Sequence, residues 1–221
     1  MSPLKRLFDL ICVIPALLLL TPVMLVVAIV VRCTSEGPIL FRQLRVGLYR
    51  RTFTIYKFRT MFHDLAANGP CVTKTGDVRL TPVGEFLRRY KLDEFPQLYN
   101  VLRGDMSLVG PRPKLPQHEH LEMHYRPGVT GAATLAFCNE EHMLKDVPDE
   151  KLEEFHVNVV SPIKMLLDRQ YQERATFTSD FRLLVDTVLK RRACLDIREL
   201  IDGPSGDEQM IALWVAEQAG D

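Results

Sequence analysis

The chain has 221 residues and no net formal charge, because 28 Lys and Arg residues balance 28 Asp and Glu residues. Hydrophobic residues make up 47% of the chain and charged residues 25%, which excludes a disordered protein and one embedded entirely in a membrane. The charge is unevenly divided: residues 1–139 carry 18 basic and 10 acidic side chains, and residues 140–221 carry 10 and 18. A uniformly basic protein that binds nucleic acid is therefore disfavoured, whereas a local basic surface that faces phosphates or anionic lipid is expected.

An apolar segment near the N-terminus, from Leu7 to Val31, is the strongest feature of the composition. It has 21 apolar residues out of 25 and is long enough to cross a bilayer as a helix. However, the Thr21-Pro22 pair in its middle removes a helical N–H, and basic residues, which mark the cytoplasmic side of a membrane, flank both of its ends. We therefore predict a helix-break-helix hairpin over residues 1–32 that enters the membrane and returns. A kinked helix that crosses the membrane is the alternative.

The rest of the chain is predicted to contain several helices and one small β-hairpin. The β-prone runs Pro38–Gln43 and Thr52–Phe58 flank Gly47, which is typical of a hairpin. Helical spacing is found in three places, residues 83–92, residues 94–102 and residues 180–191. Gly104 is expected to end the second of these helices. In the third, four apolar side chains share one side: Phe181, Leu184, Val185 and Val188.

This organisation predicts a mostly helical α+β fold in three parts. Residues 1–32 form the re-entrant membrane hairpin, residues 33–191 a cytoplasmic domain, and residues 192–221 a C-terminal extension. The only Trp, Trp214, lies in a segment of that extension that is interpreted as a packing or dimer-contact helix. Five widely spaced cysteines without metal-binding spacing indicate reduced thiols in an intracellular protein.

The pair Asp93-Glu94 is the best candidate for chemistry. It is predicted at the start of a helix, with Pro96 in the first turn, where free N–H groups and the helix dipole stabilise carboxylates and attract phosphate. An ordinary helix cap is the alternative interpretation. Cationic residues lie near the pair in the sequence or in the predicted fold: Lys57, Arg59, Arg88, Arg89 and Arg112. Carboxylates beside several cations suit a diphosphate that is bridged by Mg²⁺.

Three other groups of polar residues are interpreted as solvated surface. They are the histidines His118, His120 and His124, the pair Glu140-Glu141 and the pair Glu153-Glu154. The alternative for Glu141 is a contact with a substrate.

Four blocks of sequence, in this order, resemble the signature of the bacterial sugar transferases, which are small monotopic phosphoglycosyl transferases. The blocks are Tyr56–Met61, Lys91–Leu98, Arg103–Pro113 and Arg126–Gly131. Further positions that match are Asp77, Arg79, Thr81, Gly84, Asp168, Tyr171, Asp180 and Thr187, so that the resemblance extends from about Lys5 to Arg191. Two stretches, Asn139-Glu140-Glu141 and Pro162-x-Lys164, depart from the commoner pattern of the family and leave the donor sugar open.

The resemblance implies a reaction that starts a bacterial surface glycan or glycoprotein glycan. A sugar 1-phosphate would pass from a UDP-sugar to a polyprenol phosphate of the undecaprenyl type, and UMP would be released. It implies that Asp93 is the nucleophile of a covalent phosphosugar–aspartyl intermediate and that Glu94 holds Mg²⁺. The phosphate oxygens would be bound by Lys57, Arg88 and Arg112. The protein would work at the cytoplasmic face of the bacterial inner membrane, as a monomer or a homodimer.

The same resemblance implies supporting roles for four residues, Arg59, Asp105, Arg126 and Thr130. Asp105 would orient the Gly110–Pro113 loop, or serve as an auxiliary metal ligand.

Two other functions stay open at this point. Water could capture the intermediate, which would make the protein a UDP-sugar diphosphatase, or the protein could be a catalytically silent scaffold that anchors other glycan enzymes.

Overall fold

The computed structural model describes residues 3–62, 72–116 and 125–189. Its helices are α1 (Pro3–Thr34), α2 (Gly84–Arg89), α3 (Gln97–Arg103), α4 (Ala132–Ala136), α5 (Glu140–Met143), α6 (Asp149–Phe155), α7 (Ser161–Arg174) and α8 (Phe177–Leu189). Its strands are β1 (Leu40–Val46), β2 (Thr52–Phe58), β3 (Ser107–Val109) and β4 (Gly128–Thr130). The predicted α+β fold, mostly helical with a small hairpin, is confirmed. The three histidines between positions 118 and 124 and the extension 192–221 with Trp214 lie outside the described residues.

Strands β1 and β2 form the predicted hairpin. They pair antiparallel over their whole length, from Leu40 opposite Phe58 to Val46 opposite Thr52. The turn begins at Gly47, whose N–H donates to the Arg51 carbonyl at 2.8 Å. The hairpin delivers Lys57 at the end of β2, and the chain continues from there into the site described below.

Strands β3 and β4 form a short parallel pair in which glycines allow a very close approach. A Cβ atom on Gly128 would lie 2.1 Å from the Gly110 nitrogen, and one on Gly131 would lie 2.2 Å from the Gly110 oxygen. Any larger residue at these positions would therefore collide with backbone, which cannot move aside cheaply. The pairing brings the loop that carries Arg112 against β4, where the Gly110 N–H donates to the Thr130 carbonyl at 2.9 Å.

Helix α1 runs without interruption from Pro3 to Thr34, with both Pro15 and Pro22 inside it. The break that was predicted at Thr21-Pro22 is therefore absent from the helix. The Thr21 hydroxyl donates to the Leu17 carbonyl at 2.6 Å, rather than to the carbonyl that Pro22 leaves without its N–H partner. A single proline removes one hydrogen bond, and the neighbouring turns hold the helix together. The re-entrant path through a membrane stays a prediction.

One side of α1 packs against the remainder of the protein along most of the helix. The side chains on this side recur every three or four residues and join two hydrophobic clusters: Leu10, Val13, Leu17 and Leu20 in one, and Met24, Val27 and Val31 in the other. Polar contacts fasten the N-terminal end. The buried Asp9 carboxylate accepts hydrogen bonds from the Ser107 hydroxyl and the Leu108 N–H, both at 3.1 Å. Helix α1 therefore lies along the domain.

The other side of α1 is apolar and exposed. It carries large hydrophobic side chains, among them Leu7, Ile11, Leu18, Leu25 and Ile29, which are all more than half exposed. With 32 residues and a mean hydropathy of 2.8 over 18 of them, α1 is long and apolar enough to cross a membrane. By length and composition, α1 could cross a membrane. Its opposite side, however, packs against the rest of the protein, unlike a helix that is surrounded by lipid on all sides.

Helix α8 is amphipathic, as predicted, but only part of its apolar side meets the core, through the half-buried Leu184. Phe181 and Val188 are 51% and 72% exposed, whereas the residues that point inward are Asp180, Leu183 and Asp186. The buried Asp180 is neutralised by an ion pair with Lys5 of α1 and accepts a hydrogen bond from the Tyr171 hydroxyl. Phe8 of α1 packs edge-on against Phe177 and Phe181, with ring centroids 5.2 Å and 6.3 Å apart. The outward sides of α1 and α8 therefore form one continuous apolar surface.

The cysteines differ in part from the expectation of five reduced thiols. Cys12 and Cys33 are free, whereas Cys138 is disulfide-bonded. The prediction is therefore wrong for Cys138, since wide spacing in the sequence does not prevent two cysteines from meeting in the fold.

Candidate active site

An open cavity of about 1170 Å³ lies between the end of β2, the Asp93-Glu94 pair, the Arg112 loop and helices α5 to α7. Ten Arg and Lys side chains line it, against five carboxylates. The carboxylates are those of Asp93, Glu94, Glu140, Glu141 and Glu153. This excess of positive charge in a concave site suits a ligand with several negative charges, such as a diphosphate.

Asp93 and Glu94 lie in a tight 3₁₀ turn, Leu92–Glu94, one turn before α3 begins at Gln97. The prediction that they open the helix itself is therefore corrected. The reason is Lys91, whose positive φ of 56° ends the run of α2 and starts a new turn. Such a conformation is rare for a residue with a side chain and is often found at functional sites. It directs the Asp93 carboxylate inward, so that the residue is only 6% exposed.

Glu94 is held by two cations. Its Oε1 atom lies 2.7 Å from Lys57 Nζ and 3.0 Å from Arg112 Nη2, and its side chain is 12% exposed. Burial works against ionisation of this carboxyl, but Lys57 and Arg112 outweigh it and hold the pKa of Glu94 well below its ordinary value. Glu94 is therefore ionised throughout the physiological pH range.

The pKa of Asp93 is shifted in the opposite direction, above its ordinary value. Burial raises the pKa of Asp93, and the neighbouring charge of Glu94 adds to this, although Lys57, Arg88 and Lys91 oppose it. One carboxylate oxygen, Oδ1, is buried and has no hydrogen-bond partner. Two adjacent acids whose pKa values are pushed apart are typical of catalytic pairs.

Asn100 of α3 joins that helix to β2 next to Lys57, and it was not predicted from the sequence. The side chain is fully buried; its Nδ2 donates to the Thr54 carbonyl at 2.7 Å, and its Oδ1 accepts from the Tyr56 N–H at 3.2 Å. These two bonds fasten α3 to β2 one residue before Lys57. An Asn between Leu98 and Val101 was the available signal, because a polar residue on a buried helix face needs partners.

Arg88 is held at the cavity by two groups that sequence reasoning did not assign. Its Nε donates to Thr60 Oγ1 at 2.9 Å, and its Nη1 pairs with Glu141 Oε1 at 2.8 Å. Gly84 lets the two segments approach this closely, because a Cβ atom there would collide with the Thr60 backbone carbonyl oxygen at 2.0 Å. Glu141 therefore has an ion-pair partner at the cavity, while its side chain stays 39% exposed.

Glu140 is also part of the cavity and not of the solvated surface. Its Oε1 atom lies 2.5 Å from Lys164 Nζ and 3.5 Å from His156 Nε2. Burial opposes ionisation, yet the hydrogen bond from His156 and the charge of Lys164 lower the pKa of Glu140 to about 2. The stretch that departs from the commoner family pattern therefore contributes an ionised carboxylate to the site.

The four residues to which supporting roles were assigned lie in different places. Arg59 lines the cavity, but its Nη2 donates to the backbone and side chain of Ser35, at 2.7 Å and 2.8 Å, and so fastens the end of α1 to β2. Thr130 lies in β4, where its hydroxyl is 2.7 Å from that of Thr187 in α8. Arg59 and Thr130 therefore support the framework around the site.

Asp105 and Arg126 are not among the residues that line the cavity. Asp105 follows α3 and lies 3.5 Å from Arg103 Nε and 3.4 Å from Asn100 Nδ2. The Arg126 guanidinium lies beside Gly104, at the end of the same helix. The contacts recorded for Asp105 thus join it to α3, and the predicted contact with the Gly110–Pro113 loop is not among them.

The residues present fit a magnesium ion that is shared with a phosphorylated ligand. Among the described residues, no group of three or more His, Cys, Asp or Glu side chains could enclose a metal ion. Asp93 and Glu94 nevertheless bring carboxylate oxygens to the cavity, and Asp93 Oδ1 lacks a partner. Mg²⁺ commonly takes one or two carboxylates and completes its shell with water and substrate phosphates.

Comparison with known proteins agrees with this geometry. The sequence profile of the family described as bacterial sugar transferase matches residues 1–192. The chain belongs to this family. Three of the four motif blocks contribute residues to the cavity lining, and the resemblance drawn from the sequence is confirmed.

Curated relatives of this bacterial sugar transferase include enzymes named for undecaprenyl phosphate. The UDP-glucose:undecaprenyl-phosphate glucose-1-phosphate transferase of Xanthomonas campestris pv. campestris is 44% identical over 84% of this chain and 38% of its own length. The undecaprenyl-phosphate glucose phosphotransferase of Komagataeibacter xylinus is 40% identical over 64% of this chain and 29% of its own. The uncharacterized sugar transferase EpsL of Bacillus subtilis (strain 168) is 42% identical over 85% of this chain and 86% of its own length. The chain thus spans less than two fifths of the first two relatives and most of the third.

Proposed function

We propose that this bacterial sugar transferase moves a sugar 1-phosphate from a UDP-sugar to a polyprenol phosphate of the undecaprenyl type and releases UMP. One observation carries the proposal: two adjacent acids lie in a cavity with ten cationic side chains. Asp93 is buried with one carboxylate oxygen that has no hydrogen-bond partner, and Glu94 is ionised. The names of the Xanthomonas and Komagataeibacter relatives support the acceptor, and that of the Xanthomonas relative supports a UDP-sugar donor. The donor sugar is left open.

Asp93 acts as the nucleophile in this proposal. Its carboxylate attacks the sugar-side phosphorus of the donor, the bond from that phosphorus to the bridging oxygen breaks, and UMP leaves with the electron pair. A phosphate oxygen of the acceptor then attacks the same phosphorus, the bond to Asp93 breaks, and the carboxylate is regenerated. Burial supports this role, because a carboxylate with few hydrogen bonds is a stronger nucleophile than a solvated one.

The cations stabilise the charge that moves during both steps. Lys57 and Arg112 are in place beside Glu94, and Arg88 is held by Thr60 and Glu141. Guanidinium groups bind phosphate oxygens in pairs, whereas the lysine ammonium acts as a point charge. When bound, Mg²⁺ would neutralise diphosphate oxygens, with Glu94 among its ligands.

We place the protein at the cytoplasmic face of the bacterial inner membrane. The support is the apolar surface that α1 and α8 present together, and the basic residues at both ends of α1. Because the inner side of α1 packs on the domain, the cavity stays close to the membrane surface, where the phosphate of a lipid acceptor lies.

The function is tested by the products. Purified protein in detergent or vesicles, with Mg²⁺, undecaprenyl phosphate and a panel of UDP-sugars, should release UMP and form lipid-linked diphosphate sugar in equal amounts. Free sugar 1-phosphate without lipid product would instead identify a UDP-sugar diphosphatase. Absence of UMP with every donor would favour a scaffold without activity.

Membrane contact through α1 is tested at its exposed side. Leu18 and Leu19 are 73% and 77% exposed, and replacing both with Glu should lower binding to vesicles with anionic lipid by about tenfold or more, since a carboxylate in lipid is costly. Cosedimentation measures the bound fraction. Val78, which is 87% exposed on a loop, is the matched control, and Val78→Glu should bind as the wild type does. Equal binding of the α1 variant and the wild type would contradict this arrangement.

A further inference from the structure

Glu140 is a carboxylate of the cavity that the proposed transfer of phosphate does not use. Its Oε1 atom is bound from two sides, by Lys164 and His156. Its Oε2 atom has no hydrogen-bond partner among the described residues, and Glu140 lines the cavity. The site therefore contains a fixed hydrogen-bond acceptor that is free to bind a ligand.

The surroundings of Glu140 hold it in one position. His156 begins a π turn, His156–Val160, between α6 and α7. In a regular α-helix, His156 and Lys164 would point in directions about 80° apart, whereas here both reach the same oxygen of Glu140. Lys164 lies over the Phe137 ring at 5.1 Å, and the Ser161 hydroxyl is 3.3 Å from His156 Nδ1. π turns inside helices are frequent at functional sites.

The charge of Glu140 decides which part of a ligand it can bind. An ionised carboxylate only accepts hydrogen bonds, and it repels phosphate. Glu94 and, more weakly, Glu140 raise the pKa of Arg112, so both carboxylates act on a guanidinium that would bind a phosphate of the donor. The groups that adjoin a diphosphate in a nucleotide sugar are the sugar and the ribose, and both offer hydroxyl donors.

We propose that Glu140, positioned by Lys164 and His156, binds a hydroxyl group of the nucleotide-sugar donor and contributes to donor selection. This inference rests on the proposed function. It joins the two stretches by which this chain departs from the commoner family pattern, since Glu140 belongs to one and Lys164, 24 residues later, belongs to the other. The two departures therefore form one structural unit at the cavity.

The test is the substitution Glu140→Gln, which keeps the shape and removes the charge. Loss of a hydrogen bond to a charged group should raise the donor KM by roughly 10- to 100-fold. UDP-glucose is compared with UDP-galactose and UDP-N-acetylglucosamine, each of which differs from it at one sugar position, and inhibition by UMP is measured. The matched control is Glu154→Gln, since Glu154 is exposed and is not among the residues that line the cavity.

The two sources of the hydroxyl give different results. If the sugar binds, the three donors change by different factors and inhibition by UMP stays as in the wild type. If Glu140 binds the ribose, the binding of every donor and of UMP weakens by the same factor. A kcat/KM within twofold of the wild type for every active donor would overturn the inference, as would a lower kcat with unchanged donor KM and UMP inhibition.

A second variant keeps the test valid if Glu140→Gln does not fold. Glu140→Asp retains the charge that Lys164 and His156 require, but it shortens the side chain by one methylene group. It should still raise the donor KM, and an unchanged KM would overturn the inference. Failure of the wild type to release UMP from any UDP-sugar would instead contradict the proposed function itself.

Discussion

Replacement of Asp93 with Asn is expected to lower UMP release from a UDP-sugar by at least about 10³-fold, because the variant lacks the proposed nucleophile of the first step. The wild type should also release a burst of UMP without acceptor and exchange labelled UMP into the UDP-sugar, and the variant should do neither. Mass spectrometry of the wild type with donor alone should show a protein that has gained one sugar phosphate. The exposed Glu173, replaced with Gln, is the isosteric control.

Asp93→Asn should be at least as stable as the wild type at pH 7. Since burial raises the pKa of Asp93, the stability associated with its protonated form is present at low pH and is lost as the pH rises through the folded pKa. Asn carries no charge, so its melting temperature at pH 7 should be roughly 2–4 °C higher, and the difference should shrink in acid. Thermal unfolding at both pH values measures this.

One result would contradict the role of Asp93. Full UMP release by a folded Asp93→Asn variant would exclude Asp93 as the nucleophile. Loss of activity together with unfolding would leave the loss without a chemical cause, so the melting curve is read beside every activity measurement.

Replacement of Lys57 with Met is expected to lower kcat/KM by about 10²-fold, since it removes the charge proposed to bind the diphosphate in a largely buried site. The aliphatic part of the side chain is kept. The exposed Lys151, replaced with Met, is the control and should retain wild-type kinetics. Activity of Lys57→Met within threefold of the wild type would contradict a role of Lys57 in binding phosphate.

A double-mutant cycle separates two roles of Lys57. Its ammonium pairs with Glu94 at 2.7 Å, so Lys57 could act only by holding that carboxylate. In that case Lys57→Met combined with Glu94→Gln should be no slower than Glu94→Gln alone. If Lys57 also binds phosphate, as we expect, the double variant should be slower, because a second interaction is lost.

Local patterns of sequence predicted the hairpin, the end of α3 at Gly104 and the proximity of Lys57 to the end of a strand. These features depend on spacing within a few residues, such as alternation along a strand or a glycine with positive φ after a helix. The predicted start of α3 was wrong by one turn, because the sequence pattern does not indicate that Lys91 has a left-handed backbone conformation. The family itself was readable because its four blocks keep their order along the chain.

The partners within the site could not be read from the sequence. Arg88 and Glu141 are 53 residues apart, and Glu140 and Lys164 are 24 apart, so only the path of the folded chain brings them together. Glutamates in such stretches are usually solvated, which is why both were taken for surface charge. Asp105 shows the converse, since its place in a motif did not put it in the cavity.

The sequence by itself determined that the chain is neutral overall, that it is basic up to residue 139 and acidic after it, and that its N-terminal helix is apolar. It also determined which side chains share a side of α8, because helical spacing is a property of the sequence alone. Only the tertiary structure decided that Phe181 and Val188 on this side of α8 are exposed, next to the exposed side of α1. The physical reason is that apolar spacing is the same whether a helix meets a protein core or lipid, and the neighbours decide between them.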